Sequence, residues 1–197
     1  MNNRLFLEIN DLARATPWLH VPMAGYAKYG VMLFAVLLLA GWWVARGAGE
    51  RMPAAVWAPV GMLLAVAGNQ AIVSAVHEPR PYTTLPGILV LADRSADPSF
   101  PSDHATMAGA VAAGLLLVSW RLGLLAAVAA AVMGFTRIYI GAHYPLDVLA
   151  GFAVGATVTL LGYLIARRPI TAGLNMLGDT RLQPLLRASG GAAAAGR

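Results

Sequence analysis

The twenty residues from Tyr26 to Ala45, YAKYGVMLFAVLLLAGWWVA, carry a single charge, Lys28, and Arg46 follows directly. A helix rises about 1.5 Å per residue, so ~20 apolar residues match the ~30 Å hydrocarbon core of a bilayer. This stretch reads as a transmembrane span. The rest of the chain agrees, with 58% of its 197 residues hydrophobic and only 12% charged. A soluble domain runs at about half apolar and a quarter charged, and disorder requires low hydrophobicity. Both classes are excluded, and an all-α integral membrane bundle is expected.

Further apolar stretches follow at Val56 to Val76, Ala105 to Trp120, Leu122 to Ile140 and Leu146 to Ala166, which makes five spans. The third and fourth are expected to join tightly at Arg121. Asn69, Gln70 and Ser74 interrupt the second span and are expected to face other helices rather than lipid. Ahead of the first span, Leu5, Phe6, Ile9, Leu12 and Ala13 recur at one-turn spacing, with Glu8, Asp11 and Arg14 on other faces. That pattern predicts an amphipathic helix lying in the membrane interface. Met1 to Asn10 lacks the basic region and apolar core of a cleaved signal peptide. Gly151 and Gly155 form a GxxxG, and Ala108, Gly109 and Ala112 give the third span a small-residue side; both are common by chance in alanine-rich helices. Residues 1–166 therefore read as one membrane-embedded domain, and 167–197 as a basic, mobile tail.

No cysteine is present, which excludes disulfides, thiolate metal sites and cysteine nucleophiles. The net charge of +5 resides in loops and the tail, not in a stripe suited to nucleic acid. It reads instead as the cytoplasmic Lys/Arg bias that orients membrane proteins. Arg46, Arg51, Arg121 and the five arginines from Arg167 onward fall on one side, eight basic residues against six on the other, while seven of nine acids fall on the other side. The C-terminus is therefore expected in the cytoplasm.

Chemistry concentrates on that opposite, outward side. The connection from His77 to Ser102 spans about 26 residues, beyond the ~12–15 at which an unstructured loop is usually functional. It begins His77-Glu78-Pro79-Arg80-Pro81 and ends Pro101-Ser102-Asp103-His104 at the mouth of the third span. The fourth span closes with Thr136-Arg137 and leads to His143, and Asp147 opens the fifth. All three clusters fall on one membrane face, where ionisable residues are costly and tend to be functional.

Two arginines, two histidines and an aspartate at helix ends describe an anion site. Arg80 and Arg137 offer planar forks for phosphate oxygens. Ser102 stands as an N-cap ahead of outward-pointing N–H groups, a natural phosphate seat. Of two histidines, one can attack phosphorus while the other protonates the leaving oxygen. Asp147, four residues beyond His143, can hold that imidazole in the attacking tautomer.

Arg80-Pro81, Pro101-Ser102-Asp103-His104 and Thr136-Arg137-x5-His143-x3-Asp147 together resemble the three-part signature of the phosphatidic acid phosphatase type 2 superfamily. The resemblance covers residues 73–147. Within that superfamily it is most similar to the bacitracin-resistance type of undecaprenyl pyrophosphate phosphatase, through the Phe-Pro-Ser-Asp-His-Ala run at Phe100 to Ala105. The resemblance implies a multi-pass protein of a bacterial plasma membrane that dephosphorylates lipids without metal or cofactor. It assigns His143 as nucleophile, Asp147 as its orienting partner, His104 as general acid, and Arg80, Arg137 and Ser102 as phosphate ligands. Three departures stand out: the family's lysine falls on Val73, with His77 or Glu78 nearby as candidates for a supporting role; Thr136 replaces a serine; and Asp103 replaces a common glycine. The added negative charge of Asp103 fits a diphosphate substrate or a protonated acid.

Each residue alone has a plainer reading. Arg137 is able to snorkel from a helix end, His143 and Tyr144 to belong to an aromatic belt, and Arg80 to be a loop charge. Ordered spacing and a shared face are separate requirements, and their coincidence favours the site. A vanadium-dependent haloperoxidase shares the pattern, but five apolar spans oppose it. A small transporter would place polar residues near the midplane. A lipid-to-lipid phosphotransferase would use the same histidine, and phosphatidate or phosphatidylglycerophosphate are alternative substrates. The leading expectation is hydrolysis of undecaprenyl diphosphate, a membrane lipid phosphate met in the bilayer, with the catalytic face outside.

Overall fold

A computed structural model describes residues 2–46 and 48–177. Among these residues the regular structure is entirely helical: α1 (Asn2–Ala15), α2 (His20–Arg46), α3 (Met52–Val76), a short α4 (Pro81–Thr84), α5 (Asp103–Val118), α6 (Trp120–Tyr139) and α7 (Pro145–Leu177). Four helical stretches are long and apolar enough to cross a membrane, Pro17–Arg46, Gly49–Thr84, Trp120–Tyr139 and Pro145–Leu177, and Asp103–Val118 is a shorter apolar helix.

That shorter helix is the centre of the bundle. Eleven of its sixteen residues are buried, and α2, α3, α6 and α7 surround it. Phe34 and Leu37 of α2, Val111 and Leu115 of α5, and Met133 of α6 form the main core. A helix that meets other helices on every side gains from small residues, which let backbones approach. The glycines of the GxxxG lie at this contact. A Cβ on Gly151 would stand 2.6 Å from the Ser102 carbonyl oxygen, and one on Gly155 would overlap the Thr106 carbonyl and come within 2.8 Å of the Ala110 nitrogen. In the other direction, a Cβ on Gly109 of α5 would stand 2.9 Å from the backbone of Phe152. The N-terminal ends of α5 and α7 are thereby drawn together.

The turn between α5 and α6 falls at Ser119, in extended conformation, and Arg121 belongs to α6. The expected break at Arg121 is thus displaced. Gly123, with no room for a Cβ against Leu116, donates its N–H to the Ser119 carbonyl at 2.9 Å, and this close approach fixes the corner two residues earlier. The stretch read as a mobile tail is also helical as far as Leu177. Leu174 packs on the cluster of Ala45, Met52 and Val118, so apolar contact continues beyond Arg167 and Arg168. The remainder of the tail, 178–197, lies outside the described residues.

The N-terminal helix does not stand apart from the bundle. Phe6, Asn10 and Ala13 are buried while Leu5, Leu7 and Leu12 are exposed. The Asn10 amide donates to the Leu89 carbonyl at 2.8 Å and accepts from the Leu89 N–H at 2.9 Å. Phe6 meets Tyr144 edge-on at 5.4 Å between centroids. At the far end of the bundle, the Arg46 guanidinium lies 5.0 Å from the Trp42 and Trp43 rings, and Arg121 lies 5.5 Å from Trp120. Exposed tryptophans occur at both ends, Trp18 at one and Trp43 and Trp120 at the other, as expected where a multi-pass protein meets two interfaces.

Candidate active site

With α1 and the starts of α5 and α7 at one end, the ends of α3 and α6 arrive there too, and a cavity of about 420 Å³ opens among them. Its lining includes Gln70 and Val73 from α3, Arg80, Asp93 and Asp97 from the loop, Asp103 and His104 from α5, Arg137 from α6, and His143 from the turn before α7. Five sequence-predicted candidates, Arg80, Asp103, His104, Arg137 and His143, therefore share one cavity wall.

His143 is buried, 3% exposed. Its Nδ1 lies 2.8 Å from the Ser99 carbonyl oxygen. A carbonyl only accepts, so Nδ1 carries the hydrogen. On the other side, Nε2 lies 3.3 Å from the Arg80 Nη1, which only donates, so Nε2 holds a lone pair. Burial, followed by the Arg137 and Arg80 charges, lowers the imidazole pKa well below its ordinary value of about 6.5, against the opposing pull of the Ser99 hydrogen bond and Asp103. The ring is neutral at pH 7 with its basic nitrogen toward the guanidinium.

Asp147 is fully buried and sits 3.6 Å from His143 Nδ1. Its Oδ2 accepts from the Tyr144 N–H at 2.8 Å and from the Ser99 hydroxyl. The ring's Nδ1–H thus donates directly to the Ser99 carbonyl, and the carboxylate reaches the same corner through Ser99 and Tyr144. Ser99 had no signal in the sequence: the oxygen that takes the ring's hydrogen is a main-chain one, which any residue type supplies, and its hydroxyl, 3.4 Å from Nδ1, adds the link to Asp147.

Arg80 donates to the Asp97 carbonyl at 2.8 Å and the Ala142 carbonyl at 3.3 Å, which ties the loop to the turn before α7. Arg137 ends α6 and lines the cavity, and its side chain makes no hydrogen bond among the described residues; its buried Nε is left without a partner. A half-buried guanidinium with an unpaired buried Nε is costly unless an anion arrives to take its donors.

Other candidates lie elsewhere. Ser102 is the N-cap residue of α5 but makes no side-chain cap, is completely buried and does not line the cavity. Its N–H donates to the Asp147 carbonyl at 3.0 Å, and its Oγ has no partner. His77 caps α3 in the left-handed region, φ 51°, and is exposed. Glu78 uses its carbonyl to accept from the Ser99 N–H at 2.7 Å. Neither borders the cavity, whereas Val73 does, so no side chain of α3 supplies a cation there.

The sequence profile of the PAP2 superfamily matches residues 54–170, more than half of the chain. Undecaprenyl-diphosphatase BcrC of Bacillus subtilis is 30% identical over 167 residues, 85% of this chain and 83% of that protein. The lipid A 1-phosphatase of Rhizobium johnstonii is 43% identical over 74 residues, 38% of this chain and 30% of that protein. The crystal structure of LpxE from Aquifex aeolicus superposes with a TM-score of 0.62 at 26% identity, covering 81% of this chain and 93% of that one. With the family match over residues 54–170 and a relative 30% identical over most of both chains, the chain belongs to the PAP2 superfamily as a multi-pass membrane phosphatase.

Proposed function

We propose that this protein removes the terminal phosphate of undecaprenyl diphosphate at the outer face of a bacterial inner membrane, through a phosphohistidine on His143. The observation that carries the reading is a neutral imidazole whose Nε2 lone pair shares one cavity with two guanidiniums. Nucleophile and anion seat are thus preassembled. The terminal phosphate exchanges for the protein contacts of Arg80 and takes the free donors of Arg137. Nε2 attacks phosphorus and forms an N–P bond while the P–O bond to the lipid phosphate breaks. His104 gives a proton to the departing oxygen. A water then attacks the phosphohistidine, His104 takes its proton, and the N–P bond breaks to release inorganic phosphate.

The substrate is favoured by the similarity to undecaprenyl-diphosphatase BcrC, most of whose length this chain covers. An outward site also meets carrier lipids on that leaflet. The guanidiniums stabilise the charge that develops on the transferred group, so the reaction is expected to proceed without a metal ion.

The test is phosphate release by purified protein from undecaprenyl diphosphate, phosphatidate and phosphatidylglycerophosphate, with and without EDTA. Undecaprenyl diphosphate is expected to be the best substrate, and chelation to leave the rate intact. Phosphatidate turned over faster by about tenfold in kcat/KM would overturn the substrate. Loss of activity in EDTA with recovery in Mg²⁺ would overturn the metal-free scheme.

A further inference from the structure

Asp103 opens α5 at the cavity wall. Its Oδ1 receives two amide donors from adjacent residues of α3, Asn69 at 2.7 Å and Gln70 at 2.8 Å. Asn69 is fully buried and also donates to the Pro101 carbonyl at 3.2 Å. Neighbouring side chains on a helix diverge by about 100°, so their meeting on one oxygen fixes the carboxylate firmly. Oδ2 makes no hydrogen bond among the described residues, and the residue is exposed to the cavity.

The charges facing this carboxylate can be counted element by element. The loop brings Arg80, Asp93 and Asp97, α6 brings Arg137, the turn before α7 brings His143, its own helix brings His104, and α3 brings only Asn69, Gln70 and Val73. Around the anion seat, two guanidiniums stand against three carboxylates, of which Asp103 is the one clamped by α3, so apart from the histidines the lining carries one net negative charge. A phosphate dianion would set an acceptor oxygen against Oδ2. A monoprotonated phosphate presents a P–OH, which donates to it.

We infer that Asp103, positioned by Asn69 and Gln70, accepts a hydrogen bond from the hydroxyl of a monoprotonated terminal phosphate and thereby selects that ionisation state of the substrate. This rests on the phosphatase reading of the same cavity. The second ionisation of a phosphate ester falls near pH ~6. Above it the preferred form declines by about tenfold per pH unit, and KM should rise in step.

The experiment measures KM and kcat for a prenyl diphosphate from pH 5.5 to 8.5, together with competitive inhibition by inorganic phosphate, on the purified full chain. Wild type is expected to show KM rising with pH and phosphate inhibiting best at the acid end. In Asp103→Asn the amide oxygen keeps the two α3 donors, so its NH₂ turns to the cavity and an acceptor becomes a donor. The pH slope of KM should vanish, and inhibition at pH 8 should strengthen by about tenfold or more. Asp103→Gly, which removes the carboxylate together with the acceptor of both α3 amides, should also lose the slope. Asn69→Ala/Gln70→Ala keeps the charge but frees it; KM at pH 6 should rise several-fold, and adding Asp103→Asn should have less effect than in wild type. A flat wild-type profile, or an unchanged slope in active Asp103→Asn or Asp103→Gly protein, would overturn the inference and leave the phosphatase reading intact. Absence of both turnover and phosphate binding in wild type would overturn the two together.

Discussion

The imidazole of His143 receives its tautomer from a carbonyl, not from a carboxylate. Ser99→Ala keeps that carbonyl and removes only the hydroxyl that reaches Asp147, so a partial loss of kcat is expected, smaller than that of Asp147→Asn. His143→Ala should show no turnover, and His104→Ala should lose at least ~10²-fold, the scale of missing acid–base help. The same burial has a consequence for stability. The lowered pKa of His143 means that the unfolded chain binds a proton below about pH 6.5 that the folded chain refuses. Stability therefore falls as pH drops from the unfolded value toward the folded one, and the melting temperature of wild type should decline more steeply below pH 6.5 than that of His143→Gln. Equal slopes would contradict this assignment. Arg80, His104, Arg137 and His143 were legible because charged residues at the ends of apolar segments have few structural uses. Ser99 was not, because its essential atom belongs to the backbone. Asn69 and Gln70 were legible as helix-facing polar groups, but their target on another helix was not.

At the scale of helices, the decisive contact is the close passage of α7 across α5. Gly155→Ala would press a methyl group into the Thr106 carbonyl, and overpacking of this kind costs about 1–3 kcal/mol. Because α5 carries His104 and α7 carries Asp147, activity should fall along with melting temperature. Gly68→Ala on α3 has nothing within 4 Å of its added Cβ and should leave both measurements near wild type. If Gly68→Ala were equally damaging, the steric argument would fail. The five apolar helices were readable from hydropathy, since lipid requires helices to satisfy their own backbone polar groups. Which small residues form the central contact was not, because alanine-rich helices offer many equivalent stripes. The α5–α6 corner moved from Arg121 to Ser119 for a related reason: the approach of Gly123 to Leu116, absent from any local pattern, sets it.

For the whole molecule, the helix order puts Arg46, Arg51, Arg121 and the end of α7 at the pole opposite the cavity. We take this pole as cytoplasmic from its surplus of arginine. A C-terminal alkaline phosphatase fusion should be inactive in cells and a C-terminal green fluorescent protein fusion bright; the reverse pattern would invert the topology and turn the cavity inward. The charge asymmetry was plain in the sequence because the side of successive loops alternates and the loops that carry Arg46, Arg51 and Arg121 are short. The place of α1 was only half legible. Its amphipathic spacing marked an interfacial helix, while its grip on the cavity loop depends on residues far along the chain.

That grip sets an order of events. Asn10 is paired with Leu89, 79 positions later, and the Asn2 side chain with the N–H of Leu146, 144 positions later. During synthesis α1 leaves the ribosome well before either partner exists. It has to wait at the bilayer surface with Phe6 and Ala13 against lipid, then exchange lipid for protein once the later helices have inserted. A segment made early is thus among the last to settle, and the cavity takes its final shape only when α1 has met Leu89 of the loop and the start of α7.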